Sequence, residues 1–200
     1  MRRQGATCLV PRLVAGLLGM AMVLSAMPAA ADTTPYAESF EEGWGGWDRD
    51  HDAPCEEDPT PCVVDWAIDR NNAAAFHGVW SLRAYLDGRD GAAAIWAEQQ
   101  FDLLAMGPIH ITLQFHLRDD GEGATAWPVV AYIGAQDPES GDAFSVVGQD
   151  GAAGWTAYVH DATVAPGIVW VAFGFRSASA EERIHDMDLV EMTLETSSIV

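Results

Sequence analysis

Lysine is missing from the 200-residue chain altogether, and ten arginines stand against 30 aspartates and glutamates, a formal charge of −20 at pH 7. A surface so short of cations cannot neutralise phosphate charge, which argues against nucleic acid and anionic membrane as partners. Cysteine is nearly as scarce, with three in the chain and no C-x-x-C pair, so a zinc-finger framework has no basis. No G-x-S-x-G elbow is present, and Ser81 has no base at a recognisable spacing, which leaves nucleophilic hydrolysis unsupported. Helical periodicity is almost absent and no internal repeat is visible.

What is present begins with the N-terminus. Arg2, Arg3 and Arg12 flank an apolar run, Leu13 to Met27, that ends in Ala29, Ala30 and Ala31. This is the n-region, h-region and small-residue order of an export signal, with cleavage expected between Ala31 and Asp32. Gly16, Gly19 and Pro28 interrupt the run, and it is shorter than the roughly 20 residues a spanning helix needs, so a permanent anchor is the weaker reading. No second apolar run of that kind lies near Val200. Residues 1–31 are therefore read as a signal peptide and 32–200 as one domain, long enough for a single core. The expected destination is secreted, extracellular or periplasmic. The leader takes three of the ten arginines and none of the acids, leaving seven against 30 and a formal charge of −23.

Of the cysteines that remain, Cys55 and Cys62 close the short loop Cys55-Glu56-Glu57-Asp58-Pro59-Thr60-Pro61-Cys62. Export makes a disulfide the natural reading. Such a loop would stabilise by about 2–3 kcal/mol in the chain-entropy picture.

From about Val63 onward the chain alternates short β-rich runs with Gly, Asp, Pro and Asn. Ile109 to Arg118 is the clearest strand: Ile109, Ile111, Leu113, Phe115 and Leu117 share one face, and His110, Thr112, Gln114, His116 and Arg118 the other. Trp80 to Leu86 and Ile95 to Phe101, joined by Asp87-Gly88-Arg89-Asp90-Gly91, read as a hairpin. Further strands are expected at 129–133, 144–148, 155–160, 168–176 and 184–195. The 168–176 run is apolar on both faces, which places it centrally in a sheet. Nine or ten strands predict an all-β, antiparallel β-sandwich of jelly-roll type.

The order of short motifs carries a resemblance. Ser39-Phe40-Glu41-Glu42-Gly43 and Trp44-Gly45-Gly46-Trp47 open the domain, Asp65-Trp66 and Phe76-His77-Gly78-Val79-Trp80-Ser81-Leu82-Arg83 follow, and Met187-Asp188-Leu189-Val190-Glu191-Met192 closes it. This order resembles MAM-like and galactose-binding-like jelly-roll domains of the carbohydrate-binding-module kind, across nearly the whole mature chain. The resemblance implies a structural calcium between the opening glutamate, Glu41, and the closing aspartate, Asp188, with Asp65 as a further ligand. Calcium takes six to eight hard oxygen ligands, so carboxylates gathered from separate segments suit it. The sequence departs from the pattern at Leu189, where a second acid is usual, and in its cysteine framework.

Two other constellations compete. Asp186, Asp188 and Glu191 have the spacing of an acid triplet in some sandwich-fold glucan hydrolases, yet Asp186 is shorter than the usual glutamate and only nine residues follow Glu191. His110 and His116 share a strand face but sit ~20 Å apart, too far for one ion; with Gln114 they would line a polar ligand groove. Of the eight tryptophans, those beside turns are the candidates for exposed stacking rings: Trp44, Trp47, Trp127 and Trp155. Trp80, Trp96 and Trp170 lie within strand patterns and rank below them. The sequence thus predicts a secreted non-catalytic module recognising a glycan or another extracellular ligand. The alternatives are a structural or adhesive module with a surface protein as partner and, behind it, a glycoside hydrolase.

Overall fold

The computed structural model describes residues 32–54, 63–105, 107–120, 125–151 and 154–196. The signal segment and the Cys55–Cys62 loop lie outside them. Among the described residues eleven strands run β1 (Asp32–Glu38), β2 (Asp48–Asp52), β3 (Trp66–Asn71), β4 (Ser81–Asp87), β5 (Ala94–Leu103), β6 (Ile109–Asp119), β7 (Pro128–Gly134), β8 (Ser145–Gln149), β9 (Gly154–Val164), β10 (Gly167–Arg176) and β11 (Glu182–Thr196). They form two antiparallel sheets, β3-β4-β11-β6-β9 with β1 also on β11, and β2-β5-β10-β7-β8. The molecule is a β-sandwich, as the alternation and turn spacing predict.

Alternation along the strands builds the core. Ile111, Leu113 and Phe115 of β6 and Leu82, Ala84 and Leu86 of β4 meet Val169, Val171, Phe173 and Phe175 of β10, all at or near complete burial. Each large apolar side chain so buried contributes about 1.5–3 kcal/mol. The 168–176 run is central in its sheet, between β5 and β7, which is why both its faces are apolar. Gly174 is required there: a Cβ would lie 2.0 Å from the Ile95 carbonyl oxygen, so the β5 backbone presses closer than any side chain allows.

The expected hairpin of Trp80–Leu86 with Ile95–Phe101 does not form. β4 pairs with β3 and β11, whereas β5 lies in the other sheet beside β2 and β10. Residues 88–93 instead cross between the layers, anchored by the Gly88 amide on the Glu181 carbonyl and the Ala93 amide on Ser177 Oγ, both 2.9 Å. The apolar periodicity of the two strands points at one shared core either way, and so does not distinguish a hairpin from a crossover. β1, β2 and β3 were not visible as strands. β2 is Asp-Arg-Asp-His-Asp, with no hydrophobic period to read; it forms because its backbone completes the edge of β5.

At one end of the sandwich a charged group is buried whole. Arg183, 2 % exposed, lies 2.7 Å from Asp119 and 3.9 Å from Asp150, and its guanidinium also donates to the Thr125 carbonyl. His185 Nε2 sits 2.6 Å from Asp150 Oδ2, and Asp150 Oδ1 accepts the Trp127 amide. Trp127 covers the guanidinium, 5.5 Å from its ring centre.

Candidate functional site

The outer face of the five-stranded sheet carries a second apolar cluster, Ala94, Trp96, Val130, Phe144 and Ala172 with Tyr132 beside it. A loop from β7 to β8 folds over one end of this face. It is fastened where Asp52 Oδ2 accepts the Gly141 amide at 2.8 Å and Ser140 Oγ at 3.0 Å, and where Arg176 donates to the Gly141 carbonyl. Phe144 then packs at 4.8 Å on Trp96 and 5.7 Å on Tyr132.

Beyond the loop the face stays open and changes character. Register puts Gln100, Trp170 and Gly134 in one row across β5, β10 and β7, and Asp48, Glu98, Ala172 and Tyr132 in the next. Trp170 and Tyr132 are half-buried and Gln100 is exposed. Gly134 leaves space that Tyr132 uses: a Cβ there would lie 2.1 Å from the phenol oxygen, which donates to the Gln136 carbonyl at 2.9 Å. Two partly exposed rings therefore lie beside an amide and a carboxyl group, a combination suited to stacking on a pyranose and bonding its hydroxyls.

Glu98 is the anomalous member. It is 8 % exposed, accepts the Trp96 indole N–H at 2.7 Å through Oε2, and has Asp48 directly opposite in register. Burial, with the charges of Asp137, Asp50 and Asp48 adding to it, pushes its carboxyl up to about 7. Because the folded value is raised, Glu98 contributes stability that is fully present below the ordinary glutamate range and is lost as pH rises through about 7. Glu98→Gln should flatten the melting temperature between about pH 5 and 8 relative to the parent; an unchanged slope would place the titration elsewhere.

The motifs that open and close the domain do meet. Glu41 Oε1 accepts the amides of Val79 and Trp80 at 2.8 and 2.7 Å, and Asp188 Oδ2 those of Phe76 and His77 at 2.7 and 2.8 Å. Asp188 Oδ1 also takes the Leu189 amide. Two carboxylates from opposite ends of the chain thus hold one loop. Those amides keep Glu41 below the usual carboxylate range. Asp188, fully buried, is raised by desolvation against its three amides, with the Glu41 charge adding to the rise. Leu189 adopts a left-handed conformation, φ 43°, at the bulge that follows.

Asp65 is not with them. Its carbonyl accepts the Asp87 amide, at the far end of β4 from the Ser81 end where Glu41 and Asp188 sit. Six strand residues separate the two ends, ~20 Å at 3.3 Å each, so Asp65 is too far away to act with Glu41 and Asp188 on one ligand. The strand pattern hides this, because β3 runs antiparallel to β4.

Other expectations need correction too. Trp47 is 4 % exposed, donating to Tyr36 Oη at 3.0 Å, and Trp127 is fully buried against Phe175 and the Arg183 group; neighbouring turn residues did not leave either ring in solvent. Trp44 does line an open cleft of about 370 Å³ with Asp48, Arg49 and Asp69. Trp155 is half-buried, edge-on to Phe76. His110 and Gln114 stay on the outer face of β6, engaged with Thr163 and Glu191. His116 is 8 % exposed because Phe76 stacks on it at 3.8 Å. The loop carrying Phe76 covers that part of the expected groove.

The acid triplet does not supply a hydrolytic pair. Asp186 is fully buried between Arg83 and Arg118, at 3.1 and 2.8 Å, and Asp188 is occupied by amides. Asp119, Asp150 and His185 present ligand atoms within 4.8 Å of one another, a spacing a metal could use. Arg183 already supplies the cation there, 2.7 Å from Asp119.

No protein-family model matches the chain, and no curated protein matches it by sequence. Solved structures do match by fold. The CBM22-1 xylan-binding domain of Paenibacillus barcinonensis Xyn10C aligns over 85 % of this chain and 100 % of its own, at 15 % identity and a TM-score of 0.52. The K3 cleaved adhesin domain of Lys-gingipain from Porphyromonas gingivalis w83 aligns over 81 % and 99 %, at 14 % identity and a TM-score of 0.50. At such identities the likeness is one of fold.

Proposed function

We propose that the chain is an exported, non-catalytic module that binds a glycan on the outer face of its five-stranded sheet. The observation that carries this reading is the row of Trp170, Gln100 and Gly134 beside Tyr132 and Glu98, an aromatic and polar strip left open next to a fastened loop. Its sandwich matches that of a xylan-binding domain, which agrees with the reading. Trp170→Ala should lower affinity for a binding polysaccharide by about 30-fold, the effect of losing a central anchor worth about 2 kcal/mol. Trp155→Ala, on the other sheet, should leave it within about twofold. Affinity gels and calorimetry against a panel of soluble polysaccharides test this, and equal losses for both variants would remove the assignment.

A surface-protein partner is the second reading, favoured by Phe76 and Val79, which are 45 % and 59 % exposed on the loop over the six-stranded sheet. A panel without any saccharide response would favour it.

We further propose a structural calcium at Glu41 and Asp188. Both are hard carboxylates that hold the same loop; Asp188 already accepts three amides, so the open coordination position is Glu41 Oε2, to which no described residue donates. Their mutual repulsion is what a divalent cation would relieve. Binding confined to the folded state raises stability by about 2.7 kcal/mol at a hundredfold excess over Kd. Calcium should therefore raise the melting temperature of chelator-treated protein, and Glu41→Gln should abolish the rise. No response in the parent would dispose of the site.

A further inference from the structure

Carboxylates kept for solubility belong in water, and those around Glu98 are not all there. Glu98 is nine-tenths buried, with its Oε2 on the Trp96 indole and no donor among the described residues for Oε1. Asp137, from the loop after β7, has Oδ1 buried without a hydrogen-bond partner. Asp48 and Asp50 join them from β2, while β10 and β7 contribute Ala172, Gly174 and the Tyr132 phenol, none of them cationic. Arg49 is paired with Asp69 and Arg176 donates to the Gly141 carbonyl, while His51, stacked on Trp66, lies 3.5 Å from Asp50 and so serves that acid and not Glu98 or Asp137. Removing charge from water without a counter-charge is costly. Like charges directly opposite on paired strands, as Asp48 and Glu98 are, destabilise the sheet. Proton affinity reports the same deficit, since Glu98 and Asp137 are both raised, by burial first and by neighbouring acids second.

The missing positive charge has a defined shape. The acids come from three separate segments, β2, β5 and the loop after β7, and such a spread suits several ammonium groups better than a single ion. It also flanks the Trp170 and Tyr132 rings, where a saccharide would stack. Resting on the glycan reading above, we propose that this face takes a cationic saccharide, a polymer of amino sugars with free ammonium groups. Glu98 and Asp137 accept the ammonium, and neutral and uronate-bearing chains bind more weakly.

Calorimetry on the full mature chain with glucosamine, N-acetylglucosamine, xylose and galacturonate hexamers at about pH 6 tests it. The glucosamine hexamer should bind at least about tenfold more tightly than either neutral hexamer, and the galacturonate hexamer should not bind. Pairing with ammonium favours the Glu98 carboxylate, so binding should release a proton, seen as a dependence of the heat on the buffer's ionisation enthalpy. Glu98→Gln and Asp137→Asn should each lower the affinity about tenfold, Glu98→Gln should reduce the proton release, and Glu195→Gln on the far sheet should do neither. Equal or tighter binding of a neutral hexamer would overturn the charge selection and leave the glycan reading standing. Equal losses from Glu195→Gln would reduce the binding to general attraction by the acidic surface and overturn the proposal. Failure of all four hexamers, and of the wider polysaccharide panel, would remove the glycan reading itself.

Discussion

Replacing Arg183 with methionine is expected to destabilise the domain by about 3–5 kcal/mol, the cost of leaving buried charge without its partner. Among the described residues the guanidinium is the one cation in contact with both Asp119 and Asp150, 2.7 and 3.9 Å away, and both acids are almost fully buried. Methionine fills similar volume under Trp127, so a packing loss alone would be small. Asp119→Asn and Asp150→Asn added to Arg183→Met should restore part of the loss, because the repulsion disappears with the charges. Denaturant unfolding of the three chains separates the two accounts. A loss below about 1 kcal/mol in the single variant would mean that Asp119 and Asp150 are compensated by other groups.

Asp188→Ala is expected to cost about 3–4 kcal/mol, as three backbone amides, of Phe76, His77 and Leu189, lose a charged acceptor in a buried setting. Asp188→Asn keeps one carbonyl oxygen for the Phe76 and His77 amides and should cost less than half as much. The loop that these bonds hold also covers His116 through Phe76. Unpinning it should therefore raise hydrogen exchange at residues 76 and 77 before the sheets open. Equal stability of the alanine and asparagine variants would show that the loop is held by something other than the carboxylate.

Where a strand has one wet face and one dry face, the sequence states it outright. Ile109–Arg118 is read to within a residue, and the doubly apolar 168–176 run finds its central place, because burial there is written in side-chain chemistry. β2 is silent for the opposite reason: its role is to offer backbone bonds to β5, and Asp48-Arg49-Asp50-His51-Asp52 carries no apolar side chain on either face. The crossover between β4 and β5 was equally hidden, since periodicity reports which face is buried and not which neighbour is paired.

The site was legible in part for the same physical reason. Motif order paired Glu41 with Asp188, 147 positions apart in the sequence, and the two do hold one loop, while Asp65 lies apart because proximity to Trp66 says nothing about strand direction. Ranking tryptophans by adjacent turns missed Trp170, which lies mid-strand yet faces the open side of its sheet, and promoted Trp47 and Trp127, which fold inward. The signal available was the doubly apolar run itself. A central strand with a ring on its outer side, next to a glycine in the neighbouring strand, leaves room for a covering loop or a ligand. The β7–β8 loop covers only the Trp96 end.

On the reading above, a saccharide binds on the outer face of the five-stranded sheet. Amide chemical-shift mapping during titration with a binding oligosaccharide tests it most directly. Shifts concentrated at Glu98, Gln100, Tyr132, Gly134 and Trp170, with Gln114, Trp155 and Phe76 unmoved, are the predicted result. Shifts concentrated on the β6–β9 face around Phe76 and Trp155 would contradict it.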